Sequence, residues 1–108
     1  MRLSWLNLCR TRVTDLSVLG RLQLRHLDLR GTRTTDLLPL SDLPLTSLDI
    51  RFTLIKDVSP LAQTPLEVIS FHPSRIQEGL DVLQGMWTLK TINRRPAHEF
   101  WMRHGTEF

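Results

Sequence analysis

The stretch Leu45 to Pro65, LTSLDIRFTLIKDVSPLAQTP, sets the pattern for the whole chain. Its key positions are Leu45, Leu48, Ile50, Thr53, Ile55, Asp57, Val58 and Leu61. Twenty-one residues earlier the same positions hold Leu24, Leu27, Leu29, Thr32, Thr34, Asp36, Leu37 and Leu40. One period earlier again they hold Leu3, Leu6, Leu8, Thr11, Val13, Asp15, Leu16 and Leu19. A fixed period of this length predicts a solenoid, in which each unit buries its apolar face against its neighbours because it cannot do so alone.

Each unit opens apolar, two variable, apolar, one variable, apolar: LSWLNL, LRHLDL, LTSLDI and LEVISF, with a weaker final copy, LKTINR. Repeats therefore start at residues 3, 24, 45, 66 and 89 of a single domain spanning 1–108. The last three apolar positions alternate with period two, which predicts a short strand with one face inward. Stacking pairs these strands in parallel.

This spacing, followed by a polar Thr and then an aliphatic residue, resembles the leucine-rich repeat. The resemblance implies an α/β fold: a leucine-rich-repeat solenoid of about five short turns with a parallel sheet on the concave side and a C-terminal capping helix. It also implies that partners bind on the outward columns of that sheet. One departure is that Thr11, Thr32, Thr53 and Ser74 stand where the family more often has Asn. An inward hydroxyl must find a backbone partner, so a ladder of structural hydroxyls is expected.

The second half of each repeat is too short for a long helix. Asp15, Asp36 and Asp57 precede short apolar runs, and each is expected to cap one helical or 3₁₀ turn. Pro39 and Pro60 fall in the first turn, where a missing N–H has no partner to lose. Pro44 and Pro65 end the turn and push the preceding residue toward an extended conformation. These features resemble the short, internalin-like bacterial class of leucine-rich repeats, and a thin convex side of this kind implies a flat solenoid. In the fourth repeat Ile76, Leu80 and Leu83 have helical spacing, with Gly85 as the C′ residue of a short helix. A last strand near Leu89 to Ile92 precedes the cap, 93–108, whose helix is bracketed by Pro96 and Gly105. There Ala97, Phe100, Trp101 and His104 share a face, with Phe100 and Trp101 as a lid on the last repeat. The tail PSRIQEGLDVLQGMWTLKTINRRPAHEFW also resembles the ends of repeat regions in large bacterial proteins, some of which carry an upstream serine/threonine kinase domain. That resemblance implies a regulatory or docking fragment of a signalling protein.

With 41% apolar and 23% charged residues, the 108-residue chain is ordinary for a globular domain. No apolar run is long enough to span a membrane, and the opening MRLSWLNLCRTR lacks a secretory h-region. A single cysteine, Cys9, makes no internal disulfide, which fits a reducing compartment. A cytoplasmic location is expected. The net charge of +3 is uneven: residues 1–33 carry +5, residues 34–89 carry −4 and the rest +2. The first repeat keeps its full apolar set with only Met1 and Arg2 ahead of it, so its edge is expected to be covered by a second copy, an upstream domain or a partner.

Outward residues of five parallel strands fall into columns. One reads Asn7, Asp28, Asp49, Ser70 and Asn93; the next reads Cys9, Arg30, Arg51, His72 and Arg95. Acidic and basic columns side by side form either a self-neutralising lattice or a docking face. Beside them run Trp5, His26, Ser47 and Val68, and also Arg10, Gly31, Phe52 and Pro73. Aromatic and Arg side chains are typical interface anchors, so Trp5, Arg10, His26, Arg30, Arg51, Phe52 and His72 are the candidate protein-binding residues.

Catalysis has little support, and no cofactor or metal site is expected. His98-Glu99 and His104 fail the HExxH spacing, since six residues leave the imidazoles about 120° apart around a helix. Cys9 and His72 lie three strands apart, roughly 14 Å, which is too far for a nucleophile and its base. The reading is a non-catalytic protein–protein interaction module, with polyanion or nucleic-acid binding through the Arg-rich first third as the rival. Against that rival, Asp28 and Asp49 sit on the same face and the aromatics form no stacking platform.

Overall fold

The computed structural model describes residues 4 to 104. Their six strands form one sheet in chain order: β1 (Trp5–Asn7), β2 (His26–Asp28), β3 (Ser47–Asp49), β4 (Val68–Ser70), β5 (Thr91–Ile92) and β6 (Arg95–Pro96). The first five run parallel. Trp5 pairs with His26, His26 with Ser47, Ser47 with Val68 and Val68 with Thr91, so the register steps by 21 residues three times and then by 23. The middle positions point inward and stack as Leu27, Leu48, Ile69 and Ile92, each no more than 3% exposed. Leu6, Leu8, Val13 and Leu22 of the first repeat are only half-buried against this core. Leu3 lies outside the described residues.

Hydrogen bonds continue the ladder past each strand. Leu8 N–H donates to the Asp28 carbonyl at 2.8 Å, Leu29 to Asp49 at 2.9 Å and Ile50 to Ser70 at 2.9 Å. The expected hydroxyls follow. Thr11, Thr32 and Thr53 each donate to the carbonyl three residues back, on Leu8, Leu29 and Ile50, at 2.7, 2.8 and 2.7 Å. The series stops at Ser74, because Pro73 diverts the chain into a 3₁₀ turn (Pro73–Arg75) that leaves Ser74 exposed.

The aspartates cap as their position suggests. Oδ1 of Asp15, Asp36 and Asp57 accepts the N–H two residues on, from Ser17, Leu38 and Ser59, at 2.9, 2.9 and 2.8 Å. Each bond satisfies the first free donor of a 3₁₀ turn: Ser17–Arg21, Leu38–Leu40 and Ser59–Gln63. Pro39 and Pro60 occupy the openings of the latter two. Thr64, ahead of Pro65, is extended with φ −84° and ψ 150°.

The fourth repeat differs from the sequence reading in three details. The fourth repeat's helix, α1 (Leu80–Gln84), is shorter than the spacing from Ile76 suggests, and Gly85 ends it in a right-handed conformation with φ −83°. The left-handed glycine is instead Gly79, at φ +92°, just ahead of the helix. There the chain crosses so close to the preceding repeat that Val58 N–H bonds the Glu78 carbonyl at 3.0 Å.

The cap opens with a strand that the spacing does not predict. With φ +54° and +68°, Asn93 and Arg94 form a tight hairpin turn, and β6 runs back antiparallel along β5. A two-residue turn needs positive φ at both central positions to match strand twist. With its main chain turned away, Asn93 presents its side-chain Oδ1 to the Phe71 N–H at 2.8 Å, where a backbone carbonyl stands in the earlier repeats.

The cap ends in α2 (Ala97–His104). Phe100 is buried edge-on against Phe71, with ring centroids 5.5 Å apart, and Trp101 stacks edge-on against Phe100 at 4.7 Å. The aromatic lid is therefore in place, while the His104 side chain and Gly105 lie outside the described residues.

Candidate interaction surface

The strand columns have their side chains where the period puts them. Trp5 and His26 are neighbours across β1 and β2, and Trp5 is 59% exposed. One column over, the Asx side chains turn the chain out of the strand. Asn7 Oδ1 accepts Cys9 N–H at 2.8 Å, Asp28 Oδ1 accepts Arg30 N–H at 3.0 Å and Asp49 Oδ1 accepts Arg51 N–H at 3.1 Å.

The same carboxylates hold the arginines. Arg51 Nε meets Asp49 Oδ1 at 3.0 Å and Nη2 meets Oδ2 at 2.8 Å, a bidentate pair; Arg30 Nη2 meets Asp28 Oδ2 at 3.4 Å. Hydrogen bonding to Asp49 raises the Arg51 pKa above its ordinary value, so this guanidinium stays charged. The acidic and basic columns thus neutralise each other within a repeat in β2 and β3. These bonds fix the direction of both arginines.

The next position is conformationally unusual in three successive repeats. Arg10, Gly31 and Phe52 have φ of +60°, +74° and +59°. Side chains other than glycine resist this region by about 1–2 kcal/mol. Stacking imposes it: Arg10 N–H bonds the Arg30 carbonyl at 2.8 Å and Gly31 N–H bonds Arg51 at 3.0 Å, bonds that need the turn in this shape. Pro73 cannot adopt positive φ, and the repeat departs there. Phe52 is 60% exposed and leans edge-on against His72, with ring centroids 4.6 Å apart. His72 Nε2 is shielded from solvent and has no hydrogen-bond partner among the described residues.

The candidate residues therefore fall in two groups. Arg51, Phe52 and His72 form one contiguous cluster, and Arg51 and His72 share a depression of about 280 Å³. Trp5, Arg10, His26 and Arg30 lie toward the first strands. Arg95 leaves its expected column because the hairpin carries it into β6. In its place the hairpin and cap bring Arg94 beside the His72 depression, and Arg95 with Arg103 beside a second one of about 240 Å³. The sequence signal for these was the dyad Arg94-Arg95 after Asn93, which only the hairpin turns into a site.

Among the described residues no three His, Cys, Asp or Glu side chains are grouped so as to hold a metal ion. No helix among them is long and apolar enough to cross a membrane.

One solved structure, an internalin from Listeria monocytogenes, superposes on this chain with a TM-score of 0.75 at 22% identity, over 83% of this chain and 27% of its own. The fold is that of an internalin-like leucine-rich-repeat solenoid. This leucine-rich-repeat chain spans about a quarter of the length of that internalin. No protein-family model and no curated protein matches the sequence.

Proposed function

We propose that this chain is a non-catalytic docking module that binds a protein partner on its strand face, through Arg51, Phe52 and His72 with Trp5, Arg10, His26 and Arg30 beside them. Its setting in this reading is a larger signalling protein. The observation that carries the proposal is Phe52. A large aromatic sits exposed in a left-handed conformation where the preceding repeat has glycine. Folding alone favours glycine there, so keeping an exposed, strained aromatic argues for a use of the ring itself. Rigid strands lose little freedom on binding, which favours recognition by such a face.

The test places a benzophenone crosslinker at position 52 and, as a control, at exposed Leu38 in the 3₁₀ turn of the preceding repeat. Irradiation in extract of the source organism should trap a discrete protein from position 52 only. Equal trapping from both positions, or none from either, would count against the strand face.

A further inference from the structure

At the C-terminal end of the strand face the two depressions lie side by side and share Pro73 and Asn93 as a common wall. Arg51 and Arg94 line the first; Arg95 and Arg103 line the second. Arg51 is held by Asp49. Arg94, Arg95 and Arg103 are exposed, and among the described residues none of them makes an ion pair or side-chain hydrogen bond. Among the described residues Glu99 is the one carboxylate on either lining. Among the described residues three guanidinium groups against one carboxylate thus rim one short groove, an excess of positive charge that raises the local concentration of anions and favours an anionic occupant. The wall between the depressions is rigid, because the Asn93 side chain is committed to the Phe71 N–H.

The shape selects among anions. Two adjoining depressions with cations on both suit charges spaced along an extended chain better than one small ion. Guanidinium forks match carboxylates two bonds at a time. Single-stranded nucleic acid needs aromatic faces to stack on. Here Phe71 and Phe100 are buried, and the exposed Phe52 lines neither depression. We infer that this groove binds an extended, carboxylate-rich peptide segment of a protein partner, with Arg94 over the first depression and Arg95 with Arg103 over the second. The inference deepens the docking reading above and rests on it for the partner being a protein.

The experiment measures anisotropy of fluorescein-labelled octaglutamate with the full chain at low ionic strength. Replacing Arg94, Arg95 and Arg103 together by Ala should weaken binding about tenfold or more, whereas the same loss of charge at Arg12, Arg21 and Arg33 should change it less than about twofold. Thermal melts of both triple variants check that each folds. A second variant, Glu99→Gln, removes the opposing carboxylate and should tighten binding. No binding by the wild type, equal loss from both triple variants, weaker binding by Glu99→Gln, or tighter binding of a labelled thymidine octanucleotide would each overturn the inference. If any of these occurs while position 52 still traps its partner, the groove fails and the strand face stands; if trapping fails as well, the docking reading falls with it.

Discussion

A Cβ placed on Gly79 would lie 2.4 Å from the backbone nitrogen of Ser59. The neighbouring repeat passes there, and Gly79 also holds φ +92°. Gly79→Ala therefore combines a strained backbone, worth roughly 1–3 kcal/mol, with a clash against main chain that cannot swing aside. Gly31 has φ +74°, but the tightest neighbour of a Cβ there is the flexible Arg10 Cγ at 3.3 Å, with the Arg10 main chain at ordinary contact distance, 3.5 and 3.6 Å. Gly31→Ala should cost about 1–2 kcal/mol. Urea titration of both variants should rank Gly79→Ala as clearly the more damaging.

Leu48 is 1% exposed at the centre of the stack, whereas Leu6 at the same position of the first repeat is half-buried. Leu48→Ala should destabilise by about 2–5 kcal/mol. Leu6→Ala should cost visibly less, because part of its surface already faces water. Equal losses by chemical denaturation would mean that the first repeat packs more tightly than described.

Thr32 Oγ1 serves both the Leu29 carbonyl and the Thr34 hydroxyl, each at 2.8 Å, and both threonines are buried. Thr32→Val keeps the shape and strands the Thr34 hydroxyl, a loss of about 1–3 kcal/mol. Thr11 makes the same carbonyl bond from an exposed position, where water can replace it. Thr11→Val should stay within about 0.5 kcal/mol of the wild type.

Hydrogen bonds from the Ser17 backbone N–H, and then from its hydroxyl, hold the Asp15 pKa below its ordinary 3.8. A carboxylate with a depressed folded pKa contributes stability that is present above its unfolded pKa and is lost as pH falls through the folded one. Asp15→Asn should therefore be less stable than the wild type at neutral pH, and the gap should begin to narrow as the pH falls to 3.8 and close only below the lowered folded pKa. Urea midpoints across that range give the answer; a gap that persists in acid would point to a cause other than charge.

Phe52→Gly removes the left-handed penalty of about 1–2 kcal/mol and loses a ring contact with His72 worth about 0.5–1.5 kcal/mol. Its melting temperature should stay near the wild-type value. Arg51→Ala combined with Phe52→Gly should abolish partner capture by the strand face while the protein remains folded. A collapse in stability would make this corner structural.

The sheet register was legible because one buried face punishes a one-residue slip by turning every leucine outward. The aspartate caps and the threonine ladder were legible for a related reason: their residue types recur at fixed offsets and have local partners. Conformations imposed by stacking were harder to read. Nothing in Arg10 or Phe52 announces positive φ; Gly31 is the only local hint, and it speaks for one repeat in three. Arg94 hid the hairpin, since a two-residue turn ordinarily favours glycine at that place, and Pro96 argued against a strand. The cluster of Arg51, Phe52 and His72 followed from spacing alone. The groove beside it did not, because the hairpin reverses the chain and carries Arg95 out of the column in which counting placed it.

The outermost strand, β6, is two residues long and ends in Pro96, which has no amide hydrogen to offer an incoming chain. A foreign β-segment therefore finds a poor template on that flank, and fibril-like growth from it is discouraged. For protein engineers the practical reading is to lengthen the molecule from within: a second copy of residues 24–44 spliced ahead of Leu45 would add one rung and leave β6 and α2 untouched.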